Sequence, residues 1–323
     1  MANYPYSTEE AWRELRARHI GASESPALFG ISPFITPWQL WHVKVGNLPP
    51  ADLENNTAVL QGQHFEPAIA AYAAAKFGIQ LRKVRRYITD DTTDGMGCSL
   101  DFEQFGTGSL IPTEIKWSVQ WGAWDWEGDD ITGALDQYLV QCHHQIACTG
   151  ADRANLFAFV GGDLKRLTVE RNDTIIDSIR WAVKQFWASV RSGQEPEPDY
   201  VGDAEAIAAL SMIRPVAALD GDEEVQRLAR RRLRASRLIK KLEDISKEAR
   251  ARIDMKMMAA AKDRGVQPGQ TVVCAAGPYR ITSTPVAASQ GKIVTPDMVG
   301  TYIGARSGYR MLRVTEPKQK EKK

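Results

Sequence analysis

Asp101, Glu114 and Lys116 fall within one short stretch, SLDFEQFGTGSLIPTEIKW. Glu114-Ile115-Lys116 lies on an expected strand, and side chains two apart on a strand point to the same face. The Gly-containing segment before it reads as a turn, so a hairpin brings Asp101 close to both. Two carboxylates and an ammonium on one sheet face suit metal-dependent phosphodiester hydrolysis. The same acid-x-Lys pair is common on solvated strands, and in isolation the stretch reads first as a surface hairpin.

Composition sets the frame in which such a site must be built. With 323 residues, 43% hydrophobic and 25% charged, the chain reads as a soluble globular protein with room for about two domains. Lys plus Arg number 41 and Asp plus Glu 40, so net charge gives no sign of nucleic acid and any basic surface must be local. Cys98, Cys142, Cys148 and Cys274 show no CxxC or zinc spacing, which points to reduced thiols in a cytoplasm. No apolar run reaches the ~18 residues of a membrane span.

The elements that must position the site follow in order. Ser7-Thr8-Glu9-Glu10 is a capping-box pattern that opens a helix through Arg18, with Trp12 and Leu15 on its apolar side. Ser23, in Ile20-Gly-Ala-Ser23-Glu24, is placed at or near a helix N-terminus, where free N–H groups favour an anion, and Arg16 could clamp the same group. A plain cap and a solvated arginine fit those residues as well. Residues 37–46 read as a short helix in which His42 is a surface or packing residue. A longer helix runs from Thr57 to Phe77, carries Glu66 and Pro67, and ends on Gly78.

Residues 79–90 read as one basic strand, followed by strands over 96–105 and 110–118. The Trp-rich run from Trp117 to Trp126 either stacks on a nucleic-acid end or packs a loop onto the domain. On the helix expected over 134–148, Tyr138, Gln141 and Gln145 share one face. His143 and His144 diverge and form no metal pair. Strands over 155–160 and 164–170 follow. A helix over 174–190, amphipathic through Ile175, Ile176, Ile179, Trp181 and Phe186, would cover the sheet.

The Pro-rich stretch 194–200 sets a boundary, giving a first domain at 1–195, a charged helical and small β region at 201–317, and a basic tail at 318–323. From Asp222 to Arg264, 14 basic and 8 acidic side chains leave a local +6. That stretch either lies along a phosphate backbone, pairs with another helix as a coiled coil, or is the solvated face of a helical hairpin.

Together these pieces resemble the lambda-exonuclease or YqaJ-type phage recombination nucleases of the PD-(D/E)XK superfamily. The resemblance covers residues 8–192. It rests on Trp12-xxx-Arg16 with Ile20-Gly-Ala-Ser23-Glu24, then Gly62-xxx-Glu66-Pro67, Asp101 with Glu114-Ile115-Lys116, and Tyr138-xx-Gln141 through Gln145, all in the family's order. It implies an α/β, restriction-endonuclease-like mixed central sheet flanked by helices.

The implied activity is a Mg²⁺-dependent 5′-to-3′ double-stranded DNA exonuclease, with Mn²⁺ as a substitute ion. Asp101 and Glu114 would bind the metal, with the Ile115 carbonyl as an extra ligand. Glu66 would hold a second ion or orient a water. Lys116 would act beside the attacking water, and Gln145, with Gln141, would position that water or the phosphate; a different register would put His143 there. Arg16 and Ser23 would hold the terminal 5′-phosphate, with Trp12 at the same DNA end.

Implied partners are duplex DNA ends and a single-strand annealing protein that takes the 3′ tails, with a homo-oligomer expected and a phage-encoded protein in a bacterial cytoplasm. The alternatives are an endonuclease of the same fold and a non-catalytic DNA-end-binding or annealing factor.

Overall fold

The computed structural model describes residues 2–51, 56–106, 108–118, 125–127, 130–133, 136–213, 215–267, 269–287 and 309–315. They fall into two compact units, Met1–Val216 and Ala217–Lys323. The first unit opens with β1 (Ala2–Pro5), α1 (Glu9–Ala17), a 3₁₀ turn at Ser25–Phe29, α2 (Pro37–Lys44) and α3 (Thr57–Phe77). It continues through β2 (Gln80–Arg82), β3 (Arg86–Thr89), β4 (Gly97–Cys98), β5 (Phe102–Phe105), β6 (Ile111–Ser118), β7 (Asp125–Glu127) and β8 (Asp130–Gly133). α4 (Asp136–Thr149), β9 (Arg153–Val160), β10 (Asp163–Glu170), α5 (Asp173–Ser192) and α6 (Ala204–Ile213) complete it.

Seven strands form the central sheet in the order β2-β5-β6-β9-β10-β8-β7. β5 and β6 pair antiparallel, β6 and β9 parallel, and β9 and β10 antiparallel. Two parallel neighbours need a crossover, and α4 lies in the connection between β6 and β9. The result is a mixed α/β sheet flanked by helices, the restriction-endonuclease-like architecture. Alternation along β6 and β9 sorts the two faces. Ile115 and Phe157 join Ile69, Ala70 and Ala73 of α3, whereas Ala154, Leu156 and Ala158 join Cys142 and Ile146 of α4 and Ile176, Ile179 and Val183 of α5.

Several sequence expectations are corrected. Residues 79–90 form two strands, not one: β2 joins the central sheet while β3 joins a three-stranded sheet with β1 and β4. The 96–105 stretch splits the same way, and Asp101 lies in the break. α1 is capped by Thr8, whose side chain accepts from the Ala11 N–H at 3.2 Å, and not by Ser7. Trp181 is 65% exposed and takes no part in the covering face of α5, which buries Ala182 and Val183 beside Ile179. His42, read as a surface or packing residue, is the latter: it is fully buried against Trp38 and Trp41, with Nε2 3.0 Å from Glu195. Trp121, Trp124 and the Trp126 side chain lie outside the described residues, as does the 318–323 tail.

Contacts continue past the Pro-rich stretch. Thr36 Oγ1 donates to Asp203 at 2.6 Å, Trp38 Nε1 to Glu195 at 2.6 Å and Gln39 Nε2 to the Gly202 carbonyl at 3.3 Å, fastening 195–203 to α2.

The second unit holds α7 (Glu223–Arg264), one uninterrupted helix of 42 residues capped by Asp222 and closed by Gly265, so the helical-hairpin expectation fails. β11 (Val272–Ala276), β12 (Tyr279–Val286) and β13 (Tyr309–Thr315) form an antiparallel sheet in that order. Among the described residues no helix is long and apolar enough to cross a membrane.

Candidate active site

The β5–β6 register pairs Phe102 with Thr113, so its continuation places Asp101 opposite Glu114. Asp101 Oδ2 accepts a hydrogen bond from the Ile115 N–H at 3.0 Å. Glu114 is 3% exposed, and both of its oxygens are engaged. Oε1 accepts from Lys116 Nζ at 2.5 Å and from Gln141 Nε2 at 2.7 Å, and Oε2 accepts from Gln145 Nε2 at 2.6 Å. The Lys116 ammonium sits 5.1 Å from the Tyr138 ring centroid, so the polar face of α4 closes over the Glu-x-Lys pair.

The register of α4 is therefore set by geometry. Gln141 and Gln145, one turn apart, both point at Glu114, while His143 Nδ1 lies 2.8 Å from the Leu139 carbonyl of its own helix. His144 Nε2 lies 3.0 Å from the Gly97 carbonyl, and burial, outweighing that bond, pushes its pKa down to about 4.

Charge crowding marks the site. Burial, the Glu114 charge and the Glu66 charge push the Asp101 carboxyl well above the ordinary range, against the opposing pull of Lys116 and the Ile115 N–H. Burial alone would lower the Lys116 ammonium's pKa, but Glu114 and Asp101 outweigh it and raise the value, so Lys116 stays a cation at neutral and alkaline pH. Glu66 lies on α3, whose neighbouring Phe65 ring stands 5.9 Å from that of Trp117 on β6. Its carboxylate accepts from Lys83 Nζ at 2.5 Å.

The donor set fits a hard divalent cation. The available ligands are carboxylate oxygens, and Asp101 is raised first by burial and then by the Glu114 and Glu66 charges. Among the described residues no three acidic, His or Cys side chains are gathered at metal-holding distance. Mg²⁺ asks for one or two carboxylates and keeps several waters, which Asp101 and Glu114 satisfy without a third. Gln145 Oε1 is a further oxygen here, buried and without a protein donor.

A second cluster forms at the end of α1. Lys44, whose side chain is 3% exposed, donates from Nζ to the Arg16 carbonyl, the His19 carbonyl and Glu24 Oε2, each at 2.8 Å. Glu24 also accepts from the Gly21 N–H at 2.9 Å and from Arg16 at 3.4 Å. Burial would raise the Glu24 pKa, but Lys44 and Arg16 win and lower it. Arg16 lies over the Trp12 ring at 4.7 Å. Ser23 is exposed in the turn before the 3₁₀ segment, whose cap position is Glu24, so Ser23 is not the cap that the sequence suggested.

The two clusters are linked. Trp12 Nε1 donates to Ser99 Oγ at 3.2 Å, two residues before Asp101, and the Ile20 N–H donates to the Gly95 carbonyl at 2.7 Å. The sequence reasoning missed Lys44 and Lys83 as site residues. A lysine at the end of the apolar run PWQLWHVK was a usable sign of a buried cation. Lys83 was seen only as one of several basic strand residues.

A mixed sheet with an acid opposite a Glu-x-Lys strand, backed by a glutamine-bearing helix, is the arrangement that the sequence resemblance to PD-(D/E)XK nucleases implied. Residues 11–152 match the YqaJ-like viral recombinase domain. The uncharacterized protein YqaJ of Bacillus subtilis is 25% identical over 209 residues, which cover 64% of this chain and 64% of that protein's length. Among solved structures, an alkaline exonuclease from Laribacter hongkongensis is 20% identical with a TM-score of 0.46, over 62% of this chain and 99% of that one. A phage-related exonuclease from Haemophilus somnus is 10% identical with a TM-score of 0.41, over 54% of this chain and 96% of that one.

Proposed function

We propose that the first unit is a Mg²⁺-dependent nuclease that degrades duplex DNA from its ends in the 5′-to-3′ direction, leaving 3′ single-stranded tails for recombination by strand annealing. The observation that carries this reading is the Glu114 carboxylate, held by Lys116, Gln141 and Gln145 directly opposite Asp101. The match to a viral recombinase domain supports it.

In this reading Asp101 and Glu114 hold the metal, with the Ile115 carbonyl as a further ligand, and Glu66, which accepts from Lys83, would hold a second ion or orient a water. Bound there, the metal would supply Lewis-acid stabilisation of the phosphate charge. Lys116, whose ammonium donates to Glu114, would sit beside the attacking water and stabilise charge developing on the phosphoryl oxygens. Gln141 and Gln145 fix Glu114 in one orientation, and Gln145 Oε1 offers an acceptor for a hydrogen of the attacking water. Arg16 and Ser23 receive the terminal 5′-phosphate beside Trp12, and the product tail passes to an annealing protein.

The test compares linear 5′-phosphorylated duplex with closed circular DNA, each with Mg²⁺, with Mn²⁺ and with EDTA. Nucleotide release from the linear form alone, only with metal, is the expected result. Cutting of the circle would make the protein an endonuclease, and binding without hydrolysis would make it a DNA-end-binding factor.

A further inference from the structure

The nuclease reading leaves α7 without a role, yet its charges are not scattered. Arg227, Arg230, Arg234, Arg237 and Lys241 recur at intervals of three and four residues, so they share one face of the helix. Between Arg227 and Lys241 there are eight basic residues and no acidic one, and all are exposed. Arg227 reaches Glu224 at 3.4 Å and Arg230 reaches Gln226 at 3.4 Å. Among the described residues, Arg234, Arg237 and Lys241 meet no carboxylate within ion-pair distance.

Like charges three and four apart destabilise a helix. Five of them in line along one face oppose the fold of α7 unless an anion lies against them. The stripe spans 14 residue steps, about 21 Å of helix axis at ~1.5 Å per residue. Duplex DNA presents a phosphate every ~3.4 Å of axis on each strand, so a row of this length meets several. Self-pairing through this face would bring like charges together. Beyond Lys241 the same face turns acidic at Asp244 and Glu248, which bounds the row.

We infer that Arg227, Arg230, Arg234, Arg237 and Lys241 of α7 form a second DNA contact, a sequence-independent cradle for the phosphate backbone of duplex DNA, separate from the hydrolytic site. It shares its partner with the nuclease reading, but it is measured by binding alone.

The experiment uses the full chain in EDTA, where hydrolysis plays no part, and titrates a blunt duplex across a salt series. R230Q/R234Q/R237Q removes three charges from the stripe. R232Q/K240Q/K247Q removes three from other faces of the same helix and leaves net charge equal in the two variants. The stripe variant is expected to lose about tenfold or more in affinity and to flatten the slope of log affinity against log salt by roughly 0.9 per lost contact. The off-stripe variant is expected to stay near the parent. Equal losses in the two, no loss in the stripe variant, or a larger loss for single strand than for duplex would overturn the inference.

Amine-reactive footprinting of the unmutated protein gives a readout that no folding defect can imitate. Duplex should protect Lys241 and leave Lys240, a third of a turn away, reactive. Equal protection of the two would also overturn the proposal. Persistent binding with no hydrolysis in the metal-containing assay would instead count against the nuclease reading.

Discussion

Two lysine–carboxylate clusters sit in the first unit with opposite surpluses. At the end of α1, Lys44 and Arg16 face one carboxylate, Glu24, leaving an excess cation. Around β6, Asp101, Glu114 and Glu66 face Lys116 and Lys83, leaving an excess anion. The same ingredients, combined in different ratio, suit opposite ligands: in the proposed function the first would be completed by a phosphate and the second by a metal ion. Depth separates the partners further. Lys44 is shut inside on three acceptors while Arg16 stays partly exposed, so the buried lysine answers Glu24 and the arginine keeps its charge available.

The largest break in this contrast comes from Glu114→Ala or Lys116→Ala, each expected to cost at least about 10²–10³-fold in nucleotide release while the far-ultraviolet circular dichroism stays unchanged. Near-parental rates in either variant would remove the assignment of the β6 cluster. Asp101→Asn should abolish hydrolysis and yet stabilise the metal-free protein. An acid whose folded pKa is raised contributes stability that is complete below its unfolded pKa and lost as pH rises through the folded value. Asparagine removes that loss, and thermal melts in EDTA at neutral pH should rise by about 2–4 °C per kcal/mol relieved. A lower melting temperature would mean that the carboxylates do not repel as described.

Lys44→Met tests the other cluster. With Lys44 gone, Glu24 turns its whole charge on Arg16, and the preference for 5′-phosphoryl over 5′-hydroxyl ends should fall roughly tenfold, equivalent to about 1.4 kcal/mol. Adding Glu24→Gln should restore much of that preference. Loss of preference in both variants alike would reduce Lys44 to a packing role. The smallest effect is expected at His144, which neither cluster uses. Its depressed pKa means that stability present above the unfolded value near 6.5 drains away as pH falls toward about 4. His144→Gln should shallow the acid limb of a stability–pH curve, and an unchanged limb would mean that His144 is not buried neutral.

Much of the site was legible because its signals are local. Glu114-x-Lys116 needs only the two-residue period of a strand, and Tyr138, Gln141 and Gln145 need only the helical repeat. α3 ended on Gly78 as read, because a glycine with φ of 63° closes it. What escaped depended on partners far along the chain. Nothing within 79–90 tells β2 from β3, since the split is made by β5 on one side and β1 with β4 on the other. The Pro-rich stretch read as a boundary because proline and charge mark linkers, yet Glu195 and Asp203 bond to side chains of α2 and its cap residue Thr36. Lys44 showed no motif because its three acceptors are two carbonyls and a carboxylate earlier in the chain.

The strip from Gly95 to Asp101 is fastened on one side to Trp12 and Ile20 and on another to His144, with Asp101, the proposed metal-binding acid, at its end. In the proposed function, anchor and blade would thus be mounted on a single short rail. A caliper with fixed jaws returns the same reading at each closure, so the distance from a held DNA terminus to the bond being cut would be a property of the fold and not of the nucleotide that happens to lie between them.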